Sequence, residues 1–247
     1  MRKKFYILLL IIQTSIISSA AITINGLDYE LNEDNMTAKV TRNTQCSGNI
    51  TIPATIEYRG KNYSVTCIDF HAFYQCDLKS VTIGSNITEI REDAFEYCTH
   101  LTSVKIPNNV VTMGNGVFTH CLALETVVIE DEVQNLGNYT FSYCNNIKFV
   151  YNYSLSPQKI NGNIFGPDPF FFSAYNRTLY VPEESIELYK DAEVWKEFKN
   201  ILPIQNPEKV DNANSSVKHN TPKLLHNGQI LILRGDNVYT IIGQEVK

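Results

Sequence analysis

The chain has 247 residues, with 21 Lys and Arg against 26 Asp and Glu, for a formal charge of −5. No Lys/Arg run occurs beyond the first four residues, so a phosphate backbone would meet a repelling field, which argues against nucleic acid as a partner. The length suits one repeat domain with capping segments, or two small domains.

Met1-Arg2-Lys3-Lys4 is basic, an apolar run follows from Phe5 to about Ile17, and Ser18-Ser19-Ala20 supplies small residues for cleavage. That order reads as a secretory signal peptide over residues 1–20. The run is short for a membrane anchor and carries Gln13, Thr14 and Ser15. Cleavage removes Arg2, Lys3 and Lys4, which takes the formal charge from −5 to −8. No later apolar stretch approaches the roughly 20 residues of a membrane helix, so no transmembrane segment is expected after cleavage.

Residues 21–64 read as an N-terminal β-rich cap. Ile22 to Leu31 alternates like a strand, with Asn25-Gly26 as a turn. Short strands are expected at 37–41, 49–53 and 61–66, the last after an Arg59-Gly60 turn. Such a segment would cover the open end of a stack of coils, where strand edges and apolar surface are exposed.

A motif then returns about every 23 residues. Ala72-Phe73-x-x-Cys76 and Ala94-Phe95-x-x-Cys98 are followed by Phe118-x-x-Cys121 and Phe141-x-x-Cys144. Each leads into an alternating strand that centres on Val81-x-Ile83, Val104-x-Ile106, Val127-x-Ile129 and Val150. A fixed period in the twenties implies a solenoid, in which each unit buries apolar side chains against its neighbours. The expected fold class is a β-rich solenoid over residues 65–204 with a helical C-terminal cap. The Ala-Phe-x-x-Cys stretch is too short for a long helix and reads as one helical turn, which Gly114, Gly116 and Gly137 would loosen. A degenerate fifth copy ends at Ile164-Phe165.

Four of the six cysteines share one repeat position, which points to small, buried, unpaired side chains in a ladder. Cys67 reads as inward-facing, and Cys46 has no repeat counterpart. A Cys46–Cys67 bridge stays open at this point.

Residues between the inward Val and Ile face outward in the strand ladder. Thr82, Lys105, Val128 and Tyr151 are in phase, flanked by Ser80, Ser103, Thr126 and Phe149. Thr82, Lys105, Thr126, Val128, Phe149 and Tyr151 are therefore the candidate binding residues, on a face that turns from small and polar to aromatic. Tyr153 and Phe170-Phe171-Phe172 add aromatics nearby, and exposed aromatics are common binding anchors.

Glu183 to Phe198 reads as the helical cap, with Ile186, Tyr189, Trp195 and Phe198 buried. Residues 205–222 have a linker composition. Residues 223–247 read as a β-hairpin tail whose apolar runs, 230–233 and 238–242, are separated by Gly235-Asp236-Asn237.

These repeats resemble the BspA-like leucine-rich repeats, which combine Ala-Phe-x-x-Cys, a Leu-x-x-Val-x-Ile-Pro strand and an inward Ile before the next Phe. Ile90 to Pro107 is the cleanest copy. The entry segment around Tyr58-Arg59-Gly60-Lys61-Asn62-Tyr63 and the exit from Leu179 to Phe198 are also similar to that family. The tail from Asn227 is similar to short tails that end many secreted Bacteroidetes proteins. The resemblance implies a secreted or cell-surface bacterial protein, with adhesins among its relatives.

Catalytic patterns are missing from the sequence: there is no His-Glu-x-x-His, no Gly-x-Ser-x-Gly, no phosphate-cradling loop and no Cys-x-x-Cys. His71 with Cys76, or His120 with Cys121, offers a nucleophilic pair only on paper, because an apolar setting leaves a thiol inert. Eight Asn-x-Ser/Thr sequons are present, and turn chemistry accounts for most of them in an Asn-rich chain. The expectation is a non-enzymatic protein without cofactor or metal that binds an extracellular protein or glycan. An envelope-associated structural component with a sorting tail is the alternative.

Overall fold

The computed structural model describes residues 21–43, 45–160, 164–165 and 177–204, together with the backbone of strands within 223–246. The expected signal peptide, the linker at 205–222 and Phe170-Phe171-Phe172 lie outside the described residues.

The first strands form where turn residues accept left-handed backbone. Strands β1 (Ile22–Ile24) and β2 (Leu27–Asn32) pair antiparallel across Asn25 at φ 50° and Gly26 at φ 81°. That two-residue turn matches the natural twist of a hairpin. Strand β3 (Thr37–Val40) pairs with β2. β4 is Ser47–Ile52, and β5 (Thr55–Tyr58) returns into β6 (Lys61–Ile68) through Arg59 and Gly60, again at positive φ.

From β6 onward the pairing becomes parallel. One ladder runs from β6 to β8 (Glu89–Ile90) and β10 (Thr112–Met113), aligning Ile68, Ile90 and Met113. A second ladder sets β4 beside β7 (Asp77–Ile83), aligning Thr51 with Thr82. A separate five-stranded parallel ladder follows, formed by β9 (Ser103–Ile106), β11 (Thr126–Ile129), β12 (Phe149–Asn152), β13 (Thr178–Val181) and β14 (Asn200–Pro203). The register aligns Val104, Val127, Val150, Leu179 and Ile201. The expected boundary at 64/65 therefore falls inside β6, and β4 already pairs in parallel with β7.

Between the ladders lies a continuous core. Phe73, Phe95, Phe118 and Phe141 are fully buried and stack ring on ring, with centroids 4.9, 5.2 and 5.7 Å apart. Phe165 extends the column at 5.8 Å, then meets Trp195 and Phe198 edge-on. Burying each phenyl ring stabilises by about 1.5–3 kcal/mol, and the parallel stacking adds to that. Trp195 is fully buried, and its Nε1 donates to the Gln158 carbonyl at 3.2 Å.

The Ala-Phe-x-x-Cys stretches are not helical turns. Two backbone positions per coil are left-handed: His71, Asp93, Gly116 and Tyr139 two residues before each Phe, and Gln75, Tyr97, His120 and Tyr143 just before each Cys. Each left-handed residue redirects the chain, so the segment is a pair of tight turns. Their amides point along the stack instead: Phe73 N–H donates to Ala94, Phe95 to Val117 and Phe118 to Thr140 in the next coil. The glycines tighten the stack rather than loosening it, since a Cβ at Gly137 would run into the Gly114 carbonyl.

The expected helix is also shorter. A helical turn at Glu183–Ser185 leads into α1 (Ile186–Asp191), and a further turn forms at Trp195–Glu197. Val194, at φ 70°, separates them. Tyr189, Trp195 and Phe198 are buried as expected, and Ile186 is half-buried. The C-terminal strands β15 (Lys223–His226), β16 (Gln229–Arg234), β17 (Asn237–Thr240) and β18 (Glu245–Val246) form a four-stranded antiparallel meander rather than a single hairpin. Among the described residues, no helix is long and apolar enough to cross a membrane.

Candidate binding face

Strand pleating sends Val104, Val127 and Val150 into the core and their neighbours to the opposite side. The register brings three members of the expected row together, since Lys105 aligns with Val128 and Val128 with Tyr151, whereas Thr82 pairs with Thr51 in the separate β4–β7 sheet. The same row continues through Tyr180 to Leu202. Thr126 and Phe149 align with each other and with Thr178.

Exposure divides the candidates. Thr82 and Lys105 are exposed, and Thr126 and Phe149 are half-buried. Val128 and Tyr151 are buried, at 1% and 6% relative exposure, so neither is the open contact the sequence pattern implied. The cause lies in the one-rung spacing. The Tyr151 ring stacks on Tyr180 with centroids 4.7 Å apart and planes within 7°. Val128 is the shortest of three aligned side chains. Its neighbour Lys105 reaches to Glu130, with Nζ and Oε1 2.7 Å apart. Burial, with a contribution from the stacked Tyr180, holds the Tyr151 hydroxyl well above the ordinary phenol range. Burial and the Glu130 charge push Tyr153 up to about 12. The flanking Ser80 and Ser103 are buried as well, and Ser80 donates to Asn49 Oδ1 at 2.9 Å.

Two members of the face were missed in the sequence: half-buried Tyr180, and Leu202 at 43% exposure. Leu179-x-Val181 repeats the inward alternation and placed Tyr180 in phase, but the segment reads more readily as the end of the repeats. A separate row of rings crosses the turns on another side. Tyr97 stacks on His120 and His120 on Tyr143, each at 4.3 Å.

The cysteines do not form a reactive site. All six are free, including Cys46 and Cys67. Burial, then the Cys46 charge, raises Cys76 to about 11, and burial holds Cys98 and Cys121 higher still. The imagined Cys–His pairs are not made. The Cys76 thiol donates to the Asn43 carbonyl at 2.8 Å, and the Cys121 thiol to the Phe95 carbonyl at 3.3 Å. Asn86, the first residue of one sequon, uses its side-chain amide to bridge the Ala54 carbonyl and the Ser64 hydroxyl.

Residues 66–167 match the BspA type leucine rich repeat region in six copies. A leucine-rich repeat protein from Bacteroides capillosus is 28% identical, with a TM-score of 0.50, over 54% of this chain and 99% of that one. The leucine-rich repeat protein of T. pallidum is 20% identical with a TM-score of 0.54, over 74% of this chain and 83% of that one, and it shares the fold. None of the curated proteins compared matches the sequence. No catalytic family is indicated. This chain carries, over residues 66–167, a leucine-rich repeat region of the BspA type.

Proposed function

We propose that this is a secreted or surface-exposed, non-enzymatic module that binds an extracellular protein or glycan through the outward face of its longer strand ladder, in the manner of an adhesin. One observation carries the reading. Along a single register row the side chains change from exposed Lys105 to the Tyr151–Tyr180 stack and exposed Leu202. A flat, aligned row with a polar chain at one end and rings at the other offers both hydrogen bonding and apolar contact on a rigid support. Tyr151 and Val128 act there as the buried floor, while Thr126, Phe149, Tyr180 and Leu202 meet the partner. Repeat surfaces of this type also present many rungs at fixed spacing, which suits an extended ligand.

The test is a glycan array and a protein pull-down with the chain lacking residues 1–20, repeated with Thr126→Arg and Leu202→Lys together. Retained capture of the same ligand by the double variant would overturn the reading. A second reading is an envelope-associated component, favoured by the separate β15–β18 meander, whose strands would serve sorting or assembly. Fractionating cells that express the chain with and without residues 223–247 distinguishes it, because an unchanged distribution removes that role.

A further inference from the structure

His71, Asp93 and Glu96 come together where the first two coils stack. His71 and Asp93 occupy the same left-handed turn position in successive coils, and Glu96 follows Phe95. His71 Nε2 lies 3.6 Å from Asp93 Oδ2 and 3.8 Å from Glu96 Oε2, and all three donor atoms fall within 4.8 Å of one another. The repeat does not require these residues. The matching positions are Gly116 and Tyr139 in one row, and Tyr74, Thr119 and Ser142 in the other.

The surroundings are built for the cluster. The His71 ring sits between Phe70, 3.7 Å away, and Tyr74, 4.6 Å away, which fixes its plane. A Cβ at Gly116 would collide with Asp93 Oδ1, so glycine there keeps room for the carboxylate. All three side chains are 19–27% exposed, and among the described ion pairs neither carboxylate meets a Lys or Arg. Burial and then neighbouring negative charge, from Glu92 at Asp93 and from Asp93 at Glu96, raise both acids above the ordinary range.

We propose that His71, Asp93 and Glu96 bind one divalent transition-metal ion of the zinc class per chain. The 3.6 and 3.8 Å separations are less than twice a metal–ligand bond of about 2.1 Å, so one ion bonds all three donors after small side-chain rotations. The imidazole selects against calcium, which takes six to eight oxygen donors. Three protein ligands leave coordination positions open to water or to a partner's side chain. No motif in the sequence signals the site, because its ligands are contributed by two coils about 22 residues apart.

The experiment titrates the metal-free chain with cobalt as a spectroscopic probe and with zinc by calorimetry. One equivalent is expected to bind with a cobalt spectrum of nitrogen and oxygen ligands, undisturbed by excess calcium. Glu96→Gln and Asp93→Asn, whose circular dichroism and melting match the parent, weaken binding by roughly tenfold or more. Absence of one-to-one binding, a thiolate-to-cobalt band, displacement by calcium, or parent-like affinity in both variants would overturn the proposal.

Discussion

The thiol of Cys98 donates to the carbonyl oxygen of Phe73, one coil back, at 3.2 Å. Cys121 does the same to Phe95 at 3.3 Å and Cys144 to Phe118 at 3.0 Å. Cysteine at this position is thus both a small apolar filler and a weak donor that ties each coil to the one before it. The Phe73 carbonyl also accepts from the Cys76 amide, so it stays partnered if the thiol is removed.

Cys98→Ala is therefore expected to cost about 1–2 kcal/mol, from the small cavity and the lost weak hydrogen bond. Urea unfolding followed by circular dichroism measures it. An unchanged midpoint would show that the thiol ladder contributes only by filling space that the neighbours close.

The same burial sets how the thiols react. Burial and then the Asp28 charge raise Cys46, yet it is only half-buried, so alkylation of the native protein should mark Cys46 alone. The other five should become reactive only on unfolding, as peptide mass spectrometry would record. Labelling of Cys98 or Cys121 under native conditions would contradict the closed core.

Alkaline pH should weaken the fold for a related reason. Buried thiols have folded pKa values above the free value of about 8.5, reaching about 11 at Cys76 and about 12 at Cys67. The unfolded chain loses these protons first, so their contribution is complete below pH 8.5 and falls as pH rises from there through the folded values. The urea midpoint should drop between pH 8 and pH 10.5, and a flat profile over that window would count against neutral buried thiols.

How much of this was legible depends on what the side chains report. The Phe and Cys positions and the Val-x-Ile alternation stated the inward face directly, because burial selects those residue types. The left-handed turns were hidden. Of the eight residues that hold them only Gly116 is a glycine, while His71, Tyr97 and His120 carry no sign of positive φ. Lys105, Val128 and Tyr151 share a register as the alternation implied, but their exposure was not legible. Burial of Val128 and Tyr151 depends on how far Lys105 and Tyr180 reach, which alternation does not encode. Tyr180 itself was legible only once Leu179 and Val181 were recognised as another inward pair.

Gly137 provides a sharp test of coil spacing. A Cβ there would land inside contact distance of the Gly114 carbonyl and the Asn115 amide, both backbone groups that cannot swing away. Gly137→Ala should destabilise by about 2–3 kcal/mol through overpacking, although alanine is usually neutral or helpful in a loop. Gly26→Ala, with open space around the position, should cost only the smaller penalty of its φ of 81°. A thermal melt of the two variants ranks them, and a larger loss for Gly26→Ala would mean the coils are not this closely stacked.

Phe118 is the middle ring of the aromatic column from Phe73 to Phe165, and its loss should be strongly felt. Its ring has a stacked partner on both sides, Phe95 at 5.2 Å and Phe141 at 5.7 Å, and it is fully buried. Phe118→Ala should cost about 3–5 kcal/mol, because the cavity opens in the middle of a core that cannot collapse from one side alone. Since each coil contacts mainly its neighbours, the damage should spread by proximity along the stack. Amide exchange is expected to quicken at Phe95 and Phe141, whose coils lose a packing face, more than at Tyr29 and Val40, which lie in the N-terminal antiparallel strands. Uniform acceleration across all of these amides would instead indicate one cooperative unit, in which removing any single rung weakens every other equally.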